Sequence, residues 1–257
     1  MLYSADPRVS AEEAIAAAHK AVSLAPGLAE VYSARGFARA ILQWDWNGAQ
    51  VDIEKALTLD PRSDGTQRRY GILLASVGRL PEAITATLLA TEIEPLDVNA
   101  WALLGMYNMA IGQFAPGHRA LSHALELSPE SALAILQLAA NELATGKTME
   151  AQKTNNRQPI EPWRWCMHAI IEHTLGHAQE SQRVLDELIA KYGQSRPSVI
   201  DMAHTECSDP DSAFDWLERA YQQRDPVLGY IQFNSMFSGL RSDPRYKAFL
   251  RKMNFPE

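Results

Sequence analysis

The residues best suited to chemistry in this chain are the potential ligands Cys166, His168, Glu172, His173 and His177, followed by His204 and Cys207. His173 and His177 stand at i and i+4, a spacing that puts two imidazoles on one helix face, as a helical zinc site requires. The shell is incomplete. Gly176 is expected to end the helix before His177, and Cys166 and His173, seven residues apart, could meet only through a third ligand. Structural or incidental histidines fit this pattern better than a metal site, and no metal or other cofactor is expected. A second run, Gly146-Lys147-Thr148, carries the last letters of a phosphate-binding loop, but Asn141 stands where that loop needs its first glycine. Neither G-x-S-x-G nor H-E-x-x-H occurs. No catalytic residue is assigned, and the chain is read as not an enzyme.

The elements that must position these residues are written in a repeat. Pro26, Pro61, Pro95 and Pro129 lie 35, 34 and 34 residues apart, and each closes a similar phrase: KAVSLAPG, KALTLDPR, LATEIEPL and HALELSPE. Small residues precede the prolines at fixed offsets: Ala14 and Ala21, Ala49 and Ala56, Ala83 and Ala90. This is the tetratricopeptide pattern, in which small side chains sit where the two helices of a hairpin cross and large ones where neighbouring hairpins meet. The fullest copy begins Trp101-Ala-Leu-Leu104-Gly105 and runs through Gly112, Leu121 and Ala124 to Pro129. It departs from the pattern at Asn108, where Tyr is expected, and at Gly117, where Ala is expected. Gly36, Gly71 and Gly105 mark helix crossings, while Gly78, Gly112, Gly146 and Gly176 have the spacing of helix C-caps.

The expected fold is all-α: a right-handed tetratricopeptide-repeat superhelical solenoid forming a single domain over 1–257. It has a half-repeat at 10–25, helix pairs at about 29–59, 64–93, 98–127, 131–155, 162–192 and 197–223, and a C-terminal cap at 224–257. Asp243-Pro244 starts a helix whose Tyr246, Phe249, Leu250 and Met253 form an apolar stripe, expected to seal the last hairpin. Lys153 to Pro162 carries almost no apolar stripe and is the expected internal weak point. Trp44-Asp45-Trp46 absorbs the extra residue between Pro26 and Pro61, its rings packing beside the turn.

Twenty-four basic against 31 acidic side chains give the 257-residue chain a net charge of −7, which argues against direct nucleic-acid binding. No apolar stretch approaches the length of a membrane span, and MLYSADPRVSAEE has no leader pattern. Two cysteines supply no disulfide framework. A cytoplasmic location is expected, or a periplasmic one if a membrane-spanning region lies upstream.

The segments LQWDWNGAQVDIEKALTLDP and AFDWLERAYQQRDPVLGYIQFNSMFSGLRSDPRYKAFLRKM resemble the C-terminal repeat region of bacterial multidomain regulators. In those proteins a winged-helix DNA-binding domain or a class III adenylate/guanylate cyclase domain precedes a TolB-like segment and the repeats. The resemblance implies the repeat portion alone, either one separated from an upstream output domain or a free-standing relative, and it carries over neither cyclase nor DNA-binding activity.

The surface expected to do work is the concave one, lined by the first helix of each hairpin. The register selects Phe37, Arg68, Asn99, Met106, Met109, Trp163 and His173 as partner-binding residues. This mixture, apolar and rich in methionine with a basic spot at Arg68, suits a peptide or partner domain. Ser33, Ala102 and Leu133 stand where a carboxylate clamp would need polar residues. The leading expectation is a non-catalytic protein-interaction or sensory scaffold. The alternative is the regulatory fragment of a cyclase or transcription regulator.

Overall fold

The computed structural model describes residues 7–256, and every regular element among them is helical. The expectation of one domain over 1–257 therefore extends past the described residues at both ends. Within them the chain groups into two compact units. The first comprises residues up to Asp97 together with Tyr221–Phe233 and Pro244–Glu257; the second comprises Val98–Ala220 and Asn234–Asp243.

In the first unit, α1 (Pro7–Leu24) precedes two helix pairs. These are α2 (Ala29–Ala38) with α3 (Trp46–Leu59), and α4 (Asp64–Ser76) with α5 (Leu80–Ile93). A π-helical turn, Arg39–Gln43, continues α2 and ends at Trp44 in the left-handed region, φ 56°. The Asp45 side chain then caps α3 by accepting from the Gly48 N–H at 2.9 Å. Helix crossings are close where glycine stands: a Cβ at Gly71 would lie 2.2 Å from Thr87 Oγ1. Ala49, Ala56, Ala83 and Ala90 face these crossings fully buried.

Two tail segments complete this unit. A 3-10 turn, Pro226–Tyr230, runs against α4 and the π turn, where the Ser76 hydroxyl donates to the Gly229 carbonyl at 2.8 Å. The C-terminal helix, α14 in chain order (Pro244–Lys252), also belongs here. Trp46 Nε1 donates to the Met253 carbonyl at 3.0 Å, and the Trp46 and Phe255 rings stack at 4.4 Å. The sequence seats this helix on the last hairpin; its Phe249 and Lys252 do meet Tyr221 at the end of that hairpin, and Trp46 adds an anchor from the N-terminal hairpins.

The second unit holds four pairs. These are α6 (Val98–Ala110) with α7 (Phe114–Leu127), α8 (Ala132–Ala144) with α9 (Thr148–Asn155), α10 (Glu161–Thr174) with α11 (Ala178–Tyr192), and α12 (Pro197–Glu206) with α13 (Pro210–Gln222). Gly112, Gly146 and Gly176 close the first helices at φ between 76° and 80°, the left-handed C-cap that glycine adopts without strain. The two departures in the fullest repeat have local causes. Asn108 turns its amide back onto the Leu104 carbonyl at 2.7 Å, while Tyr107 takes the buried place. At Gly117 a Cβ would crowd Asn141 Nδ2 at 3.2 Å, the amide that bonds the Phe114 carbonyl.

Lys153 to Pro162, the expected weak point, begins in the short helix α9 and is tied down by side-chain amides. Buried Gln158 donates to the Ala132 carbonyl at 2.9 Å and accepts from the Ile160 N–H, while Asn155 donates to the Arg164 carbonyl at 2.9 Å. Side-chain amides replace apolar packing here. Gln158→Ala is expected to cost about 1–3 kcal/mol, the penalty for stranding buried polar groups. Urea unfolding measures it, and a change below the error of the fit would show the clamp to be idle.

Candidate functional site

The first helices of the second unit leave a cavity of about 400 Å³ between them, within the range of ligand sites. Met109 comes from α6, Leu143 and Ala144 from α8, Met167 and Ile170 from α10, and Glu206 from the last turn of α12. The remaining wall is the 3-10 turn Ser235–Leu240, with Met236, Ser238 and the following Arg241. That wall is held firmly. The Asn234 side chain caps it by accepting from the Met236 N–H at 3.1 Å, and its amide meets Met202 Sδ at 3.7 Å. Gly239 lies so close to α12 that a Cβ would come within 3.3 Å of the Thr205 carbonyl oxygen. Phe237 and Leu240 are buried.

Three methionines thus border one cavity with a single carboxylate at its edge. Glu206 is exposed at the cavity lining, and desolvation by its surroundings pushes its carboxyl up to about 7. The nearby thiols are pushed in the same direction: Cys166 is fully enclosed and raised well above the ordinary thiol range, and Cys207 is raised as well. Both are therefore poor nucleophiles.

The seven residues selected from the sequence divide between the units. Phe37 and Arg68 lie in the first, where Arg68 is bonded to Asp97 at 2.8 Å and Arg69 to Glu30 at 2.6 Å. Ile41, one turn beyond Phe37, and Ser76, two turns beyond Arg68, are covered by the chain's own Pro226–Tyr230 segment at Gly229. In the second unit Met109 lines the cavity, Met106 is buried, Trp163 is half-buried, and Asn99 and His173 are exposed. Sequence reasoning missed Met167, Met236, Glu206 and Arg241.

The other chemistry-bearing residues have ordinary partners. Glu172 holds His177 at 2.8 Å and His168 at 3.4 Å, so His177 turns back across Gly176 while His173 stays apart. His204 Nδ1 meets Asp209 at 3.1 Å, and burial pushes its pKa down. Gly146-Lys147-Thr148 is the turn between α8 and α9. Its Gly146 and Lys147 N–H groups donate to the Leu143 and Glu142 carbonyls at 2.9 and 2.8 Å, which leaves neither for a phosphate. No helix among the described residues is long and apolar enough to cross a membrane.

No protein-family model matches the chain. Human Superkiller complex protein 3 is 28% identical over 109 residues, a match covering 39% of this chain and 7% of that protein, so the chain spans a small fraction of the curated relative. Among solved structures, the type IV pilus biogenesis factor PilW has a TM-score of 0.62 at 20% identity, covering 72% of this chain and 88% of that one. Cut9 in the APC/C hetero-tetramer Cut9-Hcn1 has a TM-score of 0.64 at 14% identity, covering 98% and 49%. PilF of Pseudomonas aeruginosa has a TM-score of 0.57 at 16% identity, covering 80% and 96%. Together with the 34-residue period and the paired helices, these likenesses establish the fold: an all-helical repeat solenoid of the tetratricopeptide type.

Proposed function

We propose that the chain is a non-catalytic protein-interaction scaffold in which the second unit holds a peptide segment of a partner along its first-helix face. The observation that carries this reading is the cavity bordered by Met109, Met167 and Met236. Thioether side chains adapt to varied apolar surfaces, so such a pocket accepts a partner's side chain without demanding one shape. Asn99 and Trp163, near the starts of α6 and α10, and His173, beside the lining residue Thr174, would meet the flanking residues. In the first unit Ile41 and Ser76 already contact the chain's own Gly229, so the peptide is assigned to the second unit. The enclosed Cys166 thiol, the raised Cys207 thiol and the pairing of His204 with Asp209 favour a binding role over nucleophilic chemistry.

The test is a peptide-display selection on the full chain, followed by binding of the selected peptides to Ala144→Trp. Ala144 is exposed at the cavity mouth, so the indole fills the space without entering the core. Fluorescence anisotropy is expected to show at least about tenfold weaker binding, the equivalent of ~1.4 kcal/mol. Selection of no peptide, or of peptides indifferent to the tryptophan, would remove this site from the reading.

A further inference from the structure

Glu206 is exposed, yet it is the one carboxylate on the lining of a methionine-bordered cavity, where a cationic ligand can use it as a counter-ion. Glu206 has neither a hydrogen bond nor an ion pair with any described residue, and burial alone accounts for its raised pKa. Arg241, the other charged group at the cavity, is already engaged within the protein. Resting on the scaffold reading above, we propose that the cavity selects a cationic amphipathic group, a lysine or arginine side chain or a primary amine on aliphatic carbon, with Glu206 as counter-ion.

The geometry suits that class. An alkylammonium has a methylene stem and a compact charged head, and the cavity offers Met109, Met167 and Met236 to the stem and one carboxylate at the edge to the head. Charge-assisted bonds of this kind are the stronger ones. The chain's net charge of −7 draws cations and disfavours anions at a distance. The site is therefore opposite in sign to a clamp for a peptide's terminal carboxylate.

A pH dependence follows. The free carboxyl is half-protonated near pH 7, and a bound ammonium favours the ionised form, so affinity rises with pH through about 7 and levels off above it. The other groups around Glu206 are Arg241 after the 3-10 turn, Cys166 on α10, and Asp201 and Cys207 on or beside its own helix. The guanidinium stays charged and the raised thiols stay neutral across that range. Asp201 accepts a hydrogen bond from Thr205 at 3.1 Å.

The experiment titrates the full chain with n-hexylamine, hexanoate and 1-hexanol, three probes with one apolar tail and different head charges, followed by saturation-transfer NMR at pH 8. The amine is expected to bind at least about tenfold more tightly than hexanoate and severalfold more tightly than hexanol. Glu206→Gln should remove the preference, and lowering the pH to 5.5 should weaken amine binding to the wild type alone. Equal binding of the three probes, preference for hexanoate, no measurable amine binding, or an unchanged preference in Glu206→Gln would each overturn the inference. Display-selected peptides that lose binding in Ala144→Trp but show no bias toward lysine or arginine would overturn it too, while leaving the scaffold reading standing.

Discussion

Phe237→Ala is expected to destabilise the second unit by about 3–5 kcal/mol, the cost of removing a large buried ring and leaving its space unfilled. Phe237 has no exposed surface, and its 3-10 turn rests on α12 and also touches α6. The same turn supplies Met236 and Ser238 to the cavity, so the substitution should loosen one wall of the candidate site as well as lower stability. Hydrogen exchange is the suitable readout, because a chain of two units need not unfold in one step. Protection should fall in α12 and in residues 235–240 while α3 keeps its own. Uniform loss across both units, or a destabilisation below about 1 kcal/mol, would show that the tail segment is not a structural wall of the second unit.

The other large effect belongs to the first unit. Trp46→Ala should cost about 3–5 kcal/mol, since the ring is buried, stacks on Phe255 and donates to the Met253 carbonyl. Trp46→Phe separates the contributions: it keeps a ring on Phe255 but removes the indole N–H, and about 1–2 kcal/mol should be lost. Trp44 helps through a different set of contacts, stacking on Tyr221 at 4.9 Å with the Arg224 guanidinium 4.2 Å from its ring centre. If Trp46→Ala unfolds at the same urea concentration as the wild type, α14 is not anchored as described. Equal losses from Ala and Phe would place the whole contribution in the hydrogen bond.

What could be read from the sequence was what depends on near neighbours. The prolines at 61, 95 and 129 follow helix ends, and the glycines at 78, 112, 146 and 176 adopt the left-handed cap, because turn chemistry is decided within four or five residues. Gly36, Gly71 and Gly105 announced close crossings because partner helices follow at once along the chain. The path of the tail was hidden for the opposite reason: Ser76 meets Gly229 across 153 positions and Trp46 meets Met253 across 207. A stripe such as Tyr246, Phe249 and Met253 shows that a helix must bury one face but does not name the surface that covers it. The cavity was selected in the sequence only through Met109, because its far wall belongs to that tail. The 153–162 clamp shows the converse limit, since a segment poor in apolar residues can be tied by an amide such as Gln158, whose acceptor lies 26 residues away.

The central claim is that a partner peptide enters the cavity of the second unit, and methionine methyl NMR tests it most directly. The eight methionines include three that border the cavity, Met109, Met167 and Met236, and two that lie apart from its lining, exposed Met149 and buried Met253 of the first unit. With each methyl assigned by single substitution, titration of a display-selected peptide should shift the Met109, Met167 and Met236 signals together along one binding curve. The Met149 and Met253 signals should stay in place. A peptide that binds while those three signals remain unmoved, or that shifts Met253 instead, would contradict the account.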